Sequence, residues 1–351
     1  MVPEKLINTI PQWLKEWKGG PVVTLILQLS RNLKDKKFPA KLSIGEREEI
    51  VTMVCEELEK TPFWQTPLKI KCGELTSDWL KILFERKLIT RYILNSPQGV
   101  CILFDKEEKL LARINDRDHI RLVIRETGNN MEQTFTNLTA SAYILEQIFE
   151  FSFHEQFGYL TSSPVYLGEG LSLNALLHIP AIFFTRQTEK LFKILSDYNI
   201  LVWGMEGEGS DITGSMVLIK ERDLLMRKED SFARFQKALG EINELESTSR
   251  SILMVQHQKE LEDRVLKSLA ILKSAVILGL KEALELLSTV KLGIETGIID
   301  GVSPNFFTRS LIFMQPEHLR KKFGLSQLDP LRESELRAEL IKEALEGEHE
   351  G

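Results

Sequence analysis

Three stretches of this chain place chemically capable residues close together. Asn115-Asp116-Arg117-Asp118-His119-Ile120-Arg121 packs four charged groups and a histidine just before an apolar run. Carboxylates and an imidazole at this spacing can orient a substrate or move a proton, and the arginines can hold an anion. The same pattern also describes a solvated turn. Gly204-Met205-Glu206-Gly207-Glu208-Gly209-Ser210 is a glycine-rich loop after a strand-like run, a backbone able to approach a ligand, although such turns are common. Residues 160–172, running on to His178-Ile179-Pro180, add hydroxyls, two glycines and a second histidine. The chain has no GxxxxGK[ST], HExxH or CxxC. Cys55, Cys72 and Cys101 are too few and too scattered for a disulfide framework or a cysteine metal site.

The elements that must hold these stretches follow from periodicity. Residues 1–20 read as one short amphipathic helix, with Leu6, Ile10, Trp13, Leu14 and Trp17 at helical spacing and Gly19-Gly20-Pro21 as its stop. Strand signals cover 22–29, 99–104, 110–114, 120–126, 158–160, 200–204 and 215–220. Helical periodicity covers 44–60, 134–151 and 188–198. Strands joined by both turns and helices predict an α+β domain, not a βαβ repeat. From about residue 222 the pattern turns helical. Leu261, Val265, Leu269 and Leu272 share one face and Leu280, Leu284 and Leu287 another, with breaks at Gly293, Gly297 and Gly301. Asp329-Pro330 reads as the cap and first turn of a last helix, followed by an acidic tail at 346–351. The expected border divides 1–245 from an all-α part at 246–351.

Composition excludes several classes. With 43% hydrophobic and 27% charged residues the chain can bury a sizeable core. A net charge of −6 argues against a nucleic-acid binder, which carries a basic face. The longest apolar runs, 22–29 and 175–184, are broken by Gln28, His178 or Pro180, short of the roughly 18–20 residues of a membrane span. The opening Met1-Val2-Pro3-Glu4-Lys5 lacks a basic-then-apolar leader. These readings predict a cytoplasmic protein without nucleic-acid, membrane or metal partners.

Taken together the stretches are far more specific. Leu160-Thr161-Ser162-Ser163-Pro164-Val165-Tyr166-Leu167-Gly168-Glu169-Gly170-Leu171-Ser172 with His178-Ile179-Pro180 resembles the LTSCPTNLGTGLRAS…HLPA signature of the guanidino kinases. Residues 115–121 resemble that family's NEEDHLR, and 204–214 its RGxxGEGS…G loop. Leu29-Ser30-Arg31-Asn32 with Phe38-Pro39 resembles its SSRIRLARN…FP opening, and the blocks stand in the family order. Leu261-Glu262-Asp263-Arg264-Val265, Val290-Lys291-Leu292-Gly293-Ile294, Gly297-Ile298-Ile299 and Gln315-Pro316 are similar to the C-terminal half of the bacterial, McsB-type protein arginine kinases. The resemblance implies a guanidino-kinase fold: an antiparallel sheet flanked by helices, then an all-α domain that mediates homodimerisation. It also implies transfer of the ATP γ-phosphoryl to a guanidinium, which needs an arginine cradle for phosphate and a carboxylate pair for the acceptor.

The departures fall on those positions. Four of the five phosphate arginines that the resemblance implies are Ile26, Gln28, Ser172 and Trp203 here, and only Arg121 is kept. The reactive cysteine of LTSCP is Ser163, followed after the proline by Val165-Tyr166 in place of TN. The catalytic glutamate of NEEDH is Arg117, leaving Glu208 as the retained carboxylate. A hydrogen bond to a charged group contributes roughly 1.5–3 kcal/mol, so four lost arginines remove on the order of 6 kcal/mol or more. Losing a general base costs about 10²–10⁴ in rate. No other residue is expected to supply the missing charge. The branch's phosphoarginine-reading RDxxRA is Glu333-Ser334-Glu335-Leu336-Arg337-Ala338, read here as an exposed, salt-bridged helix that keeps only Arg337 and Ala338 of the motif. The expectation is therefore a catalytically silent homologue, a pseudokinase that binds no cofactor and acts by protein contact, within an arginine-kinase and protease-adaptor system. The alternative is an ATP:guanidino phosphotransferase of residual or altered activity that uses Mg-ATP.

Overall fold

The computed structural model describes residues 4–346 apart from 65, 129, 165–166, 223–225, 303–304, 326 and 328. Val165, Tyr166 and the end of the acidic tail lie outside the described residues. Ten strands are present among them: β1 (Val22–Arg31), β2 (Leu68–Lys71), β3 (Cys101–Phe104), β4 (Leu110–Ile114), β5 (Ile120–Thr127), β6 (Phe153–His154), β7 (Gly158–Tyr159), β8 (Leu171–His178), β9 (Ile200–Gly204) and β10 (Met216–Glu221). Eight form one sheet in the order β2-β3-β4-β5-β1-β8-β10-β9, antiparallel at every pairing. Helices of the first half are α1 (Lys5–Asn8), α2 (Gln12–Lys15), α3 (Ile44–Glu59), α4 (Ser77–Glu85), α5 (Arg91–Asn95), α6 (Met131–Ile148), α7 (Pro180–Phe184) and α8 (Thr188–Asp197). The rest are α9 (Lys228–Gln256), α10 (Gln258–Ser274), α11 (Leu280–Glu295), α12 (Asn305–Phe313), α13 (Pro316–Lys322) and α14 (Pro330–Glu346).

Strand β1 is central, and its alternation sorts the two faces. Leu25, Leu27 and Leu29 point into a core shared with Ile50, Val54 and Leu58 of α3, Leu138 and Leu145 of α6, and Phe235 and Ile242 of α9. Thr24, Ile26 and Gln28 point to the opposite face. There Ile70, Ile102, Phe104, Leu111 and Val123 pack under Leu80, Leu83 and Ile93 of α4 and α5. The far end of that face meets the helical half, where Leu176 and Met216 join Leu284, Leu287, Phe306 and Leu311 in one cluster.

Three local expectations change. The N-terminal helix is two, α1 and α2, broken at Thr9-Ile10-Pro11, because proline has no N–H to continue a ladder. Strands β2 and β8 carried no clear alternation and were not expected, β8 being buried on both faces of the sheet centre. Gly293 is no break: it lies inside α11, where a Cβ would sit 2.3 Å from a methyl of Val265 on α10. The apolar faces of α10 and α11 pack within the single chain, where Leu261, Val265, Leu272, Leu284 and Leu287 are all buried in the one cluster. The expected cap holds, with Asp329 accepting the N–H groups of Leu331 and Arg332 at 3.0 Å. The 245/246 border falls within α9, which runs unbroken to Gln256. No helix among the described residues is long and apolar enough to cross a membrane.

Candidate functional site

The β4–β5 turn is built by its own charges. Asn115, at φ 58°, gives its side-chain amide to the carbonyls of Arg47 and Gly99, each at 2.9 Å. Asn32 donates to Asp118 at 2.8 Å and accepts the His119 N–H at 3.0 Å, so the Ser30-Arg31-Asn32 segment and the turn form one network. His119 Nδ1 accepts the Leu33 N–H at 3.1 Å, which leaves the ring proton on Nε2. Burial pushes the His119 imidazole down to about 4, neutral at pH 7. Arg121 donates to Asp118 at 3.0 and 3.3 Å and to Asp116 at 3.3 Å, with both carboxylates fully buried. Asp116 also accepts from the Thr90 hydroxyl at 3.0 Å, and Asp118 from the Ser162 N–H at 2.6 Å.

A cavity of about 420 Å³ opens on the face carrying Thr24, Ile26 and Gln28. Its floor is β5, β1, β8 and β10, and its walls are the α4–α5 connection, the 203–208 loop, α2 and the end of α12. Ile26, Gln28, Arg117, Arg121, Trp203 and Glu208 all line it, so the sequence-predicted positions do converge. Ser172 lies opposite Gln28 on β8 and Trp203 opposite Leu218 on β9. Arg117 and Glu208 are exposed at the rim. Ser163, half-buried, is next to Ser162, whose hydroxyl donates to the Arg117 carbonyl at 2.5 Å. Arg337 does not line the cavity.

Residues 47–249 match the family described as ATP:guanido phosphotransferase, C-terminal catalytic domain. The chain belongs to this family. Residues 258–350 match the Protein-arginine kinase McsB C-terminal domain, which sets the chain on the bacterial protein-arginine-kinase branch. A protein-arginine kinase of Clostridium novyi is 31% identical over 328 residues, covering 93% of this chain and 95% of that one. One of Halothermothrix orenii is 30% identical over 350 residues, covering 97% and 99%. Among solved structures, a lombricine kinase superposes with a TM-score of 0.57 at 18% identity, over 68% of this chain and 71% of that one. The substrate-free duplicated taurocyamine kinase of Schistosoma mansoni gives 0.57 at 17% identity, and the match spans 34% of that longer chain. Both establish the guanidino-kinase fold.

Against that family pattern the cavity is not short of positive charge, contrary to expectation. Arg113, Arg125, Lys87, Arg91 and Lys220 line it beside Arg117 and Arg121. The register explains how. Arg113 pairs with Arg121 across β4–β5, and Arg125 pairs with Ile26 across β5–β1. An arginine absent from β1 is thus matched by one directly opposite on β5. Alternation could have revealed this, since Arg121 and Arg125 lie four apart in an expected strand and must share a face. The guanidinium groups of Arg113 and Arg125 converge on the carbonyl of Lys87, Arg113 at 3.2 Å. Apolar walls lie opposite, from Trp13, Ile26, Leu176, Trp203, Met205 and Ile312.

Arg337 is not on an exposed helix face. It is 1% exposed and donates to the carbonyls of Met314 at 3.0 Å and Leu278 at 2.9 Å, and to Glu333 one turn back. Its donors are spent on joining α14 to the α10–α11 connection and the end of α12. Among the described residues no group of three or more His, Cys, Asp or Glu side chains could hold a metal.

Proposed function

We propose that this member of the guanidino phosphotransferase family does not run the family reaction and acts through contacts with other proteins, a pseudokinase on the protein-arginine-kinase scaffold. One observation carries it: the single retained phosphate arginine, Arg121, is tied to Asp116 and Asp118, while Ile26, Gln28 and Trp203 line the cavity in place of its partners. A triphosphate crossing β1 and β8 would meet no charged donor there, and it would compete with two carboxylates for Arg121. Arg117 brings a cation to the rim where the resemblance calls for a base, repelling a guanidinium acceptor. Titration calorimetry with Mg-ATP and Mg-ADP tests this, with no binding tighter than about 1 mM expected. A micromolar dissociation constant overturns it.

A second reading is phosphorylation of arginine side chains in proteins. The name of the relatives supports it directly, and so do the cations displaced onto β4 and β5. Incubation with Mg-ATP and casein, read by mass spectrometry under non-acidic conditions that keep the P–N bond, separates the two. Phosphoarginine above a Glu208→Gln control establishes the second reading. In either case we place the protein in the cytoplasm as a homodimer. Exposed Leu266, Ile271, Val276, Ile277 and Leu331 on the helical half support the dimer.

A further inference from the structure

Arg125 presents an unusual problem of charge. It is 2% exposed, yet its acceptors are the main-chain carbonyls of Lys87 and, at 3.4 Å, Glu108, and its Nε has no hydrogen-bond partner among the described residues. The ring of Trp13 lies 5.7 Å away. Carbonyls satisfy N–H geometry and latch the α4–α5 connection, but they do not neutralise a buried charge. Burial, with Arg113 alongside, pushes the Arg125 guanidinium down to about 9. Lys87 adds a second, half-buried cation. It is held at φ 62°, uncommon for a lysine, and its ammonium, 5.6 Å from the Phe84 ring, is pulled below the usual amine range by burial.

The nearby carboxylates are committed elsewhere. Glu85 accepts the N–H groups of Glu317 at 2.8 Å and His318 at 3.1 Å, and bonds the His318 ring at 2.6 Å. Glu206 is 3.7 Å from Arg91, Glu108 bonds Arg86, and Asp105, which acts on Arg125 together with Glu108, accepts the N–H groups of Lys109 at 2.8 Å and Leu110 at 3.2 Å. Glu208 stands exposed at the rim. A dianion entering from outside supplies further counter-charge to Arg125 and Lys87, and the planar fork of an arginine suits phosphate oxygens.

We propose that the cavity binds a small organic phosphomonoester, its phosphate between Arg125, Arg113 and Lys87 and its apolar body against Trp13, Ile26 and Trp203. This goes beyond the silent-kinase reading and is independent of nucleotide. A single phosphate finds its cations on β4, β5 and the α4–α5 connection, without the β1 and β8 positions that a triphosphate would need.

The test is calorimetry of the full chain with phenyl phosphate, inorganic phosphate, benzoate and Mg-ATP, with tryptophan fluorescence as a second readout. Phenyl phosphate is expected to bind more tightly than inorganic phosphate or benzoate, more weakly at high salt, and to change the fluorescence. Lys87→Met and Arg125→Lys should each weaken it about tenfold or more, and Lys34→Ala, outside the cavity, should not. Trp203→Phe should remove part of the fluorescence change. If Arg125→Lys does not fold, Lys87→Met decides alone. No phenyl phosphate binding at about 10 mM, or unchanged affinity in Lys87→Met, overturns the proposal. Micromolar Mg-ATP binding beside a Lys87-dependent phenyl phosphate site overturns only the silent-kinase reading and supports this one.

Discussion

A buried arginine flanked by two aspartates has little left to offer an outside anion, and Arg121 is held in that way while Arg125, four residues on, is not. The difference makes position 26 testable. Ile26→Arg would place a cation directly opposite Arg125 on a largely buried face, and should cost about 3 kcal/mol in urea unfolding. Adding Arg125→Leu should recover part of that loss, with a coupling of at least about 1 kcal/mol; simple additivity would mean the two side chains do not meet. His119 supplies a pH signature. Its folded pKa, about 4, lies below its ordinary 6.5, so the unfolded chain binds more protons between them. Its contribution is full above pH 6.5 and is lost as pH falls toward 4, an effect on the order of 3 kcal/mol. Asp105 works the other way, since burial raises it from 3.8 to about 6 and its proton-bound form favours folding below that range. The wild-type profile should therefore be shallow. His119→Gln, left with the Asp105 effect alone, should lose stability as pH rises from 4 to 6, visible as a wild-type-minus-variant difference that grows with pH. A difference constant from pH 4 to 7 would refute this assignment.

At the level of elements, two helices of the C-terminal half are fixed by single positions. Gly293 lets α11 touch α10, and Gly293→Ala drives a methyl into Val265, an overpacking cost of about 1–3 kcal/mol that outweighs the gain in helix propensity. Val265→Ala should relieve it in the double variant, measured by thermal denaturation. Arg337 secures α14 through two carbonyls and Glu333, so Arg337→Met should destabilise the chain by about 3 kcal/mol and fray α14, seen as faster amide exchange there. Unchanged stability would return Arg337 to the pool of residues available for ligands.

On the scale of the whole molecule the two halves are joined by charge as well as by apolar packing. Glu246 on α9 caps α7 through the N–H groups of Ala181 at 3.1 Å and Ile182 at 3.0 Å, and it also meets Arg250. Arg250 in turn pairs with Glu295 of α11 at 2.8 Å, and Lys291 with the same carboxylate group at 3.2 Å. The cavity depends on this junction, because Leu311, Ile312 and Gln315 of the helical half close a wall of it. Assembly is read by light scattering. The wild type should be dimeric at tens of micromolar, and Val276→Asp with Ile277→Asp monomeric with its fold intact, since both side chains are exposed in the single chain. A monomeric wild type removes the dimer.

The strands at 110–114 and 200–204 and the helix of 44–59 were legible because β-rich runs and helical periodicity bounded by turn residues are local signals. The family-like blocks were legible for the same reason: glycines and prolines that set backbone shape are written in order along the chain. The convergence of Ile26, Gln28, Arg117, Arg121, Trp203 and Glu208 on one cavity could be inferred from that resemblance. Other features depended on partners far away in the chain. The splitting of the N-terminal helix follows from Pro11, but the burial of Leu6, Trp13, Leu14 and Trp17 is set by distant packing. Cys55 and Cys101, scattered in sequence, lie with sulfurs 3.7 Å apart. Above all, whether an arginine is a ligand, a latch or a counter-ion is decided by what the fold packs against it. The β4–β5 turn gave Arg121 two aspartates, strand register faced Arg125 with Ile26, and helix packing buried Arg337 against main-chain carbonyls, because charge in a low-dielectric interior is settled by neighbours rather than by residue type.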